Sequence, residues 1–328
     1  MARDASGSSP RAEWLSVHLY LEVSPDGVYG DAADAVLLDV VAPFVSHCRQ
    51  EGWIDRYFFV RYVDHGTTGH GAHIRLRLHG EKKRLRNSVW PYLRLRALWA
   101  RQTSTRQRRR GDSQSTAIVH AKAIPYVPET ERYGGVAALS TAEELFCESS
   151  DAALLLLPPV RQKTRSVRLG SAALAMLALV HSVADDRSAA REFFEEYSQW
   201  YGQMIYGARP ELKVQIERQF SHSLERQEGR VVQYIGEAWR RLCCGESISD
   251  PIDQLKRAAV KNAQSIHRIT MVNAMLAADV AEVVGPIRVM RLMSSQVHMM
   301  NNRMGIRPDE EAFLAKACAV GLLAVDSD

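Results

Sequence analysis

The sequence predicts an α+β protein, a small β-sheet domain with helices laid on it followed by a block of helices. Two observations carry this. Segments that alternate apolar and polar residues, as strands do, are confined to about the first 130 residues. From about Ser140 onward, apolar residues recur almost only at three- and four-residue spacing, the repeat of a helix face.

Residues 1–13 are polar and read as a disordered tail without the apolar core of a secretion signal. Ser16 to Val23 (SVHLYLEV) alternates like a strand. Asp31 to Glu51 carries Val36, Leu37, Val40, Val41, Phe44 and Val45 at helical spacing, with Gly52 as a stop. Arg56 to Val63 (RYFFVRYV) is aromatic and β-branched, hence strand. A Gly-rich stretch, His65 to Gly71, leads into a further strand over residues 72 to 80. Lys82 to Arg101 returns to helical spacing, with a break or kink expected at Pro91. Thr116 to Val127 (TAIVHAKAIPYV) completes the set as a strand. The order β-α-β-β-α-β is the ferredoxin-like, split βαβ arrangement, with the second and third strands as a hairpin.

The remainder divides into helical segments near 140–157, 166–184, 188–206, 210–226, 229–243, 251–282 and 284–304. A last helix begins near Pro308, which suits a first helical position, and Asp309, Glu310 and Glu311 suit the positive end of its dipole. No internal repeat is present. The predicted organisation is a disordered tail (1–13), a ferredoxin-like part (14–137) and a helical part (138–328).

Composition narrows the function classes. The 328 residues are 46% hydrophobic and 24% charged, as in a globular protein with a sizeable core. No apolar run approaches the roughly 20 residues of a membrane span. Cysteines 48, 147, 243, 244 and 318 are odd in number and lack metal-ligand spacing, so reduced thiols in a cytoplasmic protein are expected, with no metal and no disulfide framework. Net charge is only +4, yet Lys82 to Arg110 holds eleven Lys or Arg and no Asp or Glu. Its end, with Arg101, Arg106, Arg108, Arg109 and Arg110, reads as a basic arm or loop: either a solvated loop or a docking surface for a polyanion, nucleic acid or acidic peptide.

The strand AHIRLRLHG, residues 72 to 80, is the most informative segment. Alternation puts Ile74, Leu76 and Leu78 on one face and His73, Arg75, Arg77 and His79 on the other, roughly 6.5 to 7 Å apart. Four potentially cationic groups in a row repel one another unless water or an anion screens them. Two guanidiniums on a rigid strand suit a carboxylate or phosphate, since each offers a planar fork of donors. A solvated strand face is the plain alternative.

Four segments stand out together: Phe58-Phe59-Val60-Arg61-Tyr62 leading to the HxRxR strand; Pro128-Glu129-Thr130-Glu131-Arg132-Tyr133-Gly134-Gly135; Ala142-Glu143-Glu144-Leu145-Phe146-Cys147-Glu148-Ser149-Ser150; and Val297-His298-Met299-Met300-Asn301-Asn302-Arg303-Met304. In this order they resemble the C-terminal, glutamate-eliminating domain of lantibiotic dehydratases, a domain that also occurs free-standing in thiopeptide gene clusters. The resemblance runs from Trp14 to the last helix. It implies a cofactor-free lyase that removes glutamate from glutamylated Ser or Thr of a ribosomal precursor peptide, leaving dehydroalanine or dehydrobutyrine. Such chemistry needs a base for the Cα proton, stabilisation of the enolate-like charge and recognition of departing glutamate.

By motif match the catalytic residues implied are His298, Arg132 and one or both of Arg75 and Arg77. Arg61, Tyr62, His73, Glu129, Tyr133, Asn302 and Arg303 are expected at the substrate, and Arg106, Arg108, Arg109 and Arg110 at the leader peptide. The Leu145-Phe146 and Ser149-Ser150 segment reads as structural. Taken alone, Arg132 could brace a turn against Glu129 or Glu131, and His298 on a Met-rich helix could be a core histidine. The chain is too short for the glutamylating part of full-length relatives, so a separate tRNA-dependent glutamylating partner is expected, with the precursor peptide (leader plus modified core) as substrate and neither DNA nor membrane as partner.

Two further readings stay open. Pyridine synthases of thiopeptide pathways resemble the same domain and join two dehydroalanines by a formal aza-[4+2] cycloaddition, then expel water and leader; presence of the full Arg/His set favours elimination. A non-catalytic leader-peptide or tRNA-binding subunit would use the basic 82–110 segment alone.

Overall fold

The computed structural model describes residues 12–23, 25–64, 71–109, 118–133, 135–184, 186–207, 210–276 and 286–323, with backbone alone at 25, 104–109, 119, 206, 210, 212–213, 270–276 and 286–289. Of the tail expected over 1–13, residues 1–11 lie outside the described residues, and Ala12 and Glu13 already belong to a strand. The chain divides into two compact units, Met1–Pro128 and Glu129–Asp328.

In the first unit, β1 (Ala12–Leu21), β2 (Arg56–Val63), β3 (Ala72–Glu81) and β4 (Ile118–Ala123) form an antiparallel sheet of order β2-β3-β1-β4, the expected ferredoxin-like topology. Alternation sets the faces. Leu15, Val17 and Leu19 of β1 pair with Leu78, Leu76 and Ile74 of β3, which pair in turn with Tyr57, Phe59 and Arg61 of β2. This side is core: Val17, Leu19, Phe59, Ile74, Leu76 and Leu78 are fully buried.

Two helical runs join the strands, and each contains a π-helical turn. The first is α1 (Asp31–Val36), a π turn (Leu37–Val41) and α2 (Ala42–Gln50), ended by Gly52 at φ +64°. The second is α3 (Lys82–Arg84), a π turn (Leu85–Val89) and α4 (Trp90–Arg109). Pro43 and Pro91 follow these π turns by two residues. A proline lacks the N–H for an i→i−4 bond and its ring crowds the carbonyl four residues back. Widening the preceding turn accommodates both defects, so the break expected at Pro91 is a π turn in a continuing helix.

The structure corrects the reading of 101–110 as an arm or loop. Helix α4 continues through Arg109, while Arg110 lies outside the described residues. Arg and Gln are good helix formers, and Leu93, Ala97 and Ala100 bury a stripe that anchors the helix.

The second unit is helical after a short 3-10 turn (Glu131–Tyr133): α5 (Val136–Val160), α6 (Arg165–Val180), α7 (Arg187–Tyr206), α8 (Pro210–Glu225), α9 (Glu228–Cys243), α10 (Asp250–Leu276), α11 (Pro286–Arg303) and α12 (Pro308–Gly321). Helices α10 and α11 pack on α5 and α6, and α12 packs on α7 and α9.

The α11–α12 corner positions the site. The Ile306 and Gly305 amides donate to the Asn301 and Asn302 carbonyls at 2.9 and 3.0 Å, a Schellman closure that requires the left-handed φ of +69° that Gly305 supplies. Pro308 then starts α12, and Glu310 accepts the Arg307 amide at 2.9 Å. Arg165 of α6 clamps Glu310 with two hydrogen bonds. The reversal folds the first turn of α12 back along the last turns of α11.

Candidate functional site

The expected site residues fall into one cluster in each unit. In the first unit, register puts Arg75 opposite His18 and Val60, Arg77 opposite Ser16 and Phe58, and His73 opposite Tyr20 and Tyr62. The row of four cations does not exist as such. The ring of His73, fully buried, is 2.9 Å from the Gly71 carbonyl through Nδ1, and its Nε2 lies 3.2 Å from Arg75 Nε. The carbonyl can only accept and the guanidinium can only donate, so the ring is neutral with its proton on Nδ1. Burial pushes its pKa down, as the neighbouring arginines also do, against the pull of Gly71 and Asp64.

His18 stacks on His73 with centroids 4.4 Å apart, and burial, His73 and the two arginines push it down to about 3. Its Nδ1, like the Ser16 hydroxyl, is buried without a hydrogen-bond partner among the described residues. His79 is tied to Asp55 at 2.6 Å. That leaves two guanidiniums, each against a ring: Arg75 lies 3.2 Å over the Tyr62 centroid and Arg77 5.4 Å over that of Tyr126. Burial and Arg75 lower Arg77 to about 10. This face can hold an anion through Arg75 and Arg77 while His18 and His73 stay uncharged.

Arg61 corrects its expectation. It points to the packed face, is 1% exposed, binds Asp34 at 2.6 Å and donates to the Val28 carbonyl at 2.9 Å. Its guanidinium is a core brace, not a surface for substrate.

In the second unit, His298 Nδ1 lies 3.0 Å from a carboxylate oxygen of Glu311. The other Glu311 oxygen accepts from Asn301 Nδ2 at 3.0 Å and from the Tyr197 hydroxyl. Glu311 is 1% exposed, and burial together with this carboxylate raises Tyr197 well above the ordinary phenol range. A carboxylate accepts, so it fixes the His298 proton on Nδ1 and leaves Nε2 free. The His298 side chain is 24% exposed and packs on the Tyr201 ring at 5.4 Å.

Arg132 reaches the same helix, donating from Nε to Ser295, 3.4 Å away and one turn before His298, while Nη1 pairs with Glu129 at 3.3 Å. It is 38% exposed. The turn-bracing reading of Arg132 is thus partly right, through Glu129, yet the guanidinium also stands beside α11. Tyr133 is buried edge-on against Phe146 at 4.8 Å. Arg303 is fully buried over the same ring and donates to Ser150 at 2.9 Å, and Asn302 is 7% exposed. These three pack the frame around Arg132 and His298, with the Phe146 to Ser150 segment as scaffold.

Sequence reasoning missed Glu311, Tyr197, Tyr201 and Asn301. Asn301 sat inside a quoted motif, three residues from His298, and Glu311 was read as a helix-dipole acid. Arg106, Arg108 and Arg109 lie on the backbone of α4 and Arg110 lies outside the described residues. A cleft of about 620 Å³ lined by Glu195, Gln199, Val214, Phe220 and Lys316 contains neither His298 nor Arg132. Among the described residues, no group of three His, Cys, Asp or Glu is placed to hold a metal ion, and no helix is long and apolar enough to cross a membrane.

The family model described as "Lantibiotic biosynthesis dehydratase C-term" matches residues 14–320. The chain is similar to the subtilin biosynthesis protein SpaB of Bacillus subtilis, 28% identical over 166 residues that make up 49% of this chain and 14% of that protein. Its fold is shared with the tRNA-dependent lantibiotic dehydratase MibB from Microbispora sp. 107891, at TM-score 0.63 and 20% identity over 98% of this chain and 28% of that one. It is shared as well with TbtD, the pyridine synthase from thiomuracin biosynthesis, at TM-score 0.62 and 14% identity over 95% of this chain and 98% of that one. The chain therefore spans only a minor part of SpaB and of MibB.

Proposed function

The chain belongs to the lantibiotic dehydratase C-terminal family, and we propose that it eliminates glutamate from glutamylated Ser or Thr of a ribosomally made precursor peptide. The observation that supports this best is the Glu311–His298 pair beside Arg132: an oriented base and a cation meeting on one helix. In the reaction His298 Nε2 takes the Cα proton. The electrons of the Cα–H bond form the Cα=Cβ bond, the Cβ–O bond breaks, and glutamate leaves as a carboxylate. Arg132 pairs with the charge that builds on the departing group, and the imidazolium, held by Glu311, returns its proton to water. Arg75 and Arg77 are assigned to the substrate's other anionic groups, with Tyr62 keeping Arg75 aligned. No cofactor enters this scheme. Glutamylation is assigned to a separate tRNA-dependent protein.

A second reading, pyridine synthesis from two dehydroalanines, draws support from the sheet face itself. The rings of Tyr20 and Tyr62, packed against the buried and neutral rings of His18 and His73, suit a flat uncharged intermediate better than a carboxylate alone requires. One experiment separates the two. The protein is given a peptide with a glutamylated serine, and in parallel one with two dehydroalanines. Elimination predicts free glutamate and a dehydroalanine mass from the first only. Loss of water plus leader from the second, with the ester intact in the first, overturns the elimination assignment.

A further inference from the structure

Helix α4 presents an apolar stripe that is exposed among the described residues. Leu93, Ala97 and Ala100 face inward, while Leu95, Leu98 and Trp99 are 64, 50 and 61% exposed. At 100° per residue these three share one outward strip about 100° wide with Leu95 at its centre. Arg94 and Arg101, both exposed, border it on one side. On the other, Arg96 lies 6.0 Å from the Trp99 ring and is held by the Asp39 carbonyl at 3.4 Å, which steadies the indole. Large apolar side chains are seldom left grouped on a surface without a partner.

We propose that this strip is a docking site for an acidic peptide segment carrying large apolar side chains, the leader part of the substrate. The inference rests on the reading above that the substrate is a ribosomal peptide. Charge complementarity selects the occupant: the run from Lys82 to Arg110 contains eleven basic residues and no acidic one. A second copy of this chain would set arginine against arginine across the strip. A single strand of RNA gains from rings on which bases stack, and here two of the three exposed side chains are leucines. A peptide with apolar side chains on one edge and carboxylates beside them meets both halves of the surface. Trp99, rigid and broad, is the anchor.

The test uses the whole protein, a fluorescein-labelled peptide of Glu and Asp with Leu and Phe at three- and four-residue spacing, its Lys-for-Glu counterpart, and a single-stranded RNA oligomer. Anisotropy should show salt-sensitive binding of the acidic peptide. Leu95→Ala/Trp99→Ala should weaken it about 10- to 100-fold, and Arg94→Glu/Arg101→Glu about 10-fold with a flatter salt dependence. All four side chains are exposed, so both variants should melt like the parent. With a glutamylated peptide bearing that acidic segment, the same variants should raise KM and leave kcat near the parent value. Equal affinity of the Leu95/Trp99 variant overturns the proposal, as does binding of RNA but not peptide, or a dimer that dissolves in that variant while no peptide binds. Docking through the strip without turnover of any peptide would keep this site and refute the reaction instead.

Discussion

Replacing Glu311 by Gln preserves the shape of the side chain and reverses one of its polar faces. The native carboxylate accepts three hydrogen bonds, from Tyr197, Asn301 and His298. A glutamine accepts only through its carbonyl, which stays with Tyr197 and Asn301, the two donors that already share one oxygen of the native carboxylate. Its NH₂ then meets His298 Nδ1, and the ring avoids facing two donors by moving its proton to Nε2. The base is thereby protonated at the wrong nitrogen. Restoring the productive tautomer means breaking that new bond and opposing two donors, about 3 to 5 kcal/mol, or roughly 10² to 10⁴ in rate. The fold should lose only about 1 to 2 kcal/mol, the difference between charge-assisted and neutral bonds. Glutamate release under saturating peptide, a urea titration and the ¹⁵N shifts of His298 measure the three parts separately. Turnover within about threefold of the parent, with the imidazole proton still on Nδ1, would refute the dyad as the base.

The other predictions concern one residue each. Arg132→Lys keeps the charge but loses the fork and the reach to Ser295, so kcat/KM for glutamate release should fall about 10- to 100-fold, and Arg132→Ala about 10³-fold, without loss of melting temperature. His18, lowered from an ordinary 6.5 to about 3, stays neutral in the folded chain where the unfolded chain takes up a proton. Stability should therefore fall as pH drops from 6.5 toward 3, by at most about 5 kcal/mol; His18→Phe, which keeps the stacking, should show a shallower decline between pH 6.5 and 5 in urea titrations. Arg61→Met strands the buried Asp34 carboxylate and should cost about 3 to 5 kcal/mol, whereas Arg61→Met with Asp34→Leu should recover most of it. If that double variant folds yet no longer turns over substrate, Arg61 has a role at the substrate after all.

The fold was legible because each of its rules is local. Alternation in SVHLYLEV, RYFFVRYV and AHIRLRLHG assigns faces, and the single topology that buries Ile74, Leu76 and Leu78 under two helical runs follows from them. Arg61 misled because alternation was applied to one strand at a time. Tyr62 and Arg61 stand next to each other and cannot share a face, and pairing of Arg61 with Ile74 decides which of them is inside. The π turns before Pro43 and Pro91 follow from the missing amide, yet a kink and a widened turn are equally good answers to it until packing chooses. The extension of α4 to Arg109 was hidden by charge: a run of arginines reads as solvated whether or not its backbone is helical.

The dyad was half legible, for a physical reason. His298 was found through its motif, but its partner is thirteen positions away across a corner, and acidic residues in the first turn of a helix are expected on dipole grounds whether or not they do anything else. One signal was available. Asp309, Glu310 and Glu311 are three acids where the dipole rewards one or two, and consecutive residues on a helix point 100° apart, so they cannot all face solvent. Gly305 forces the chain to reverse within a few residues, so whichever acid faces inward must face the last turns of α11, where His298, Asn301 and Asn302 lie. That reasoning leads to Glu310 or Glu311; Arg165 claims the first, and the carboxylate left for His298 is the second.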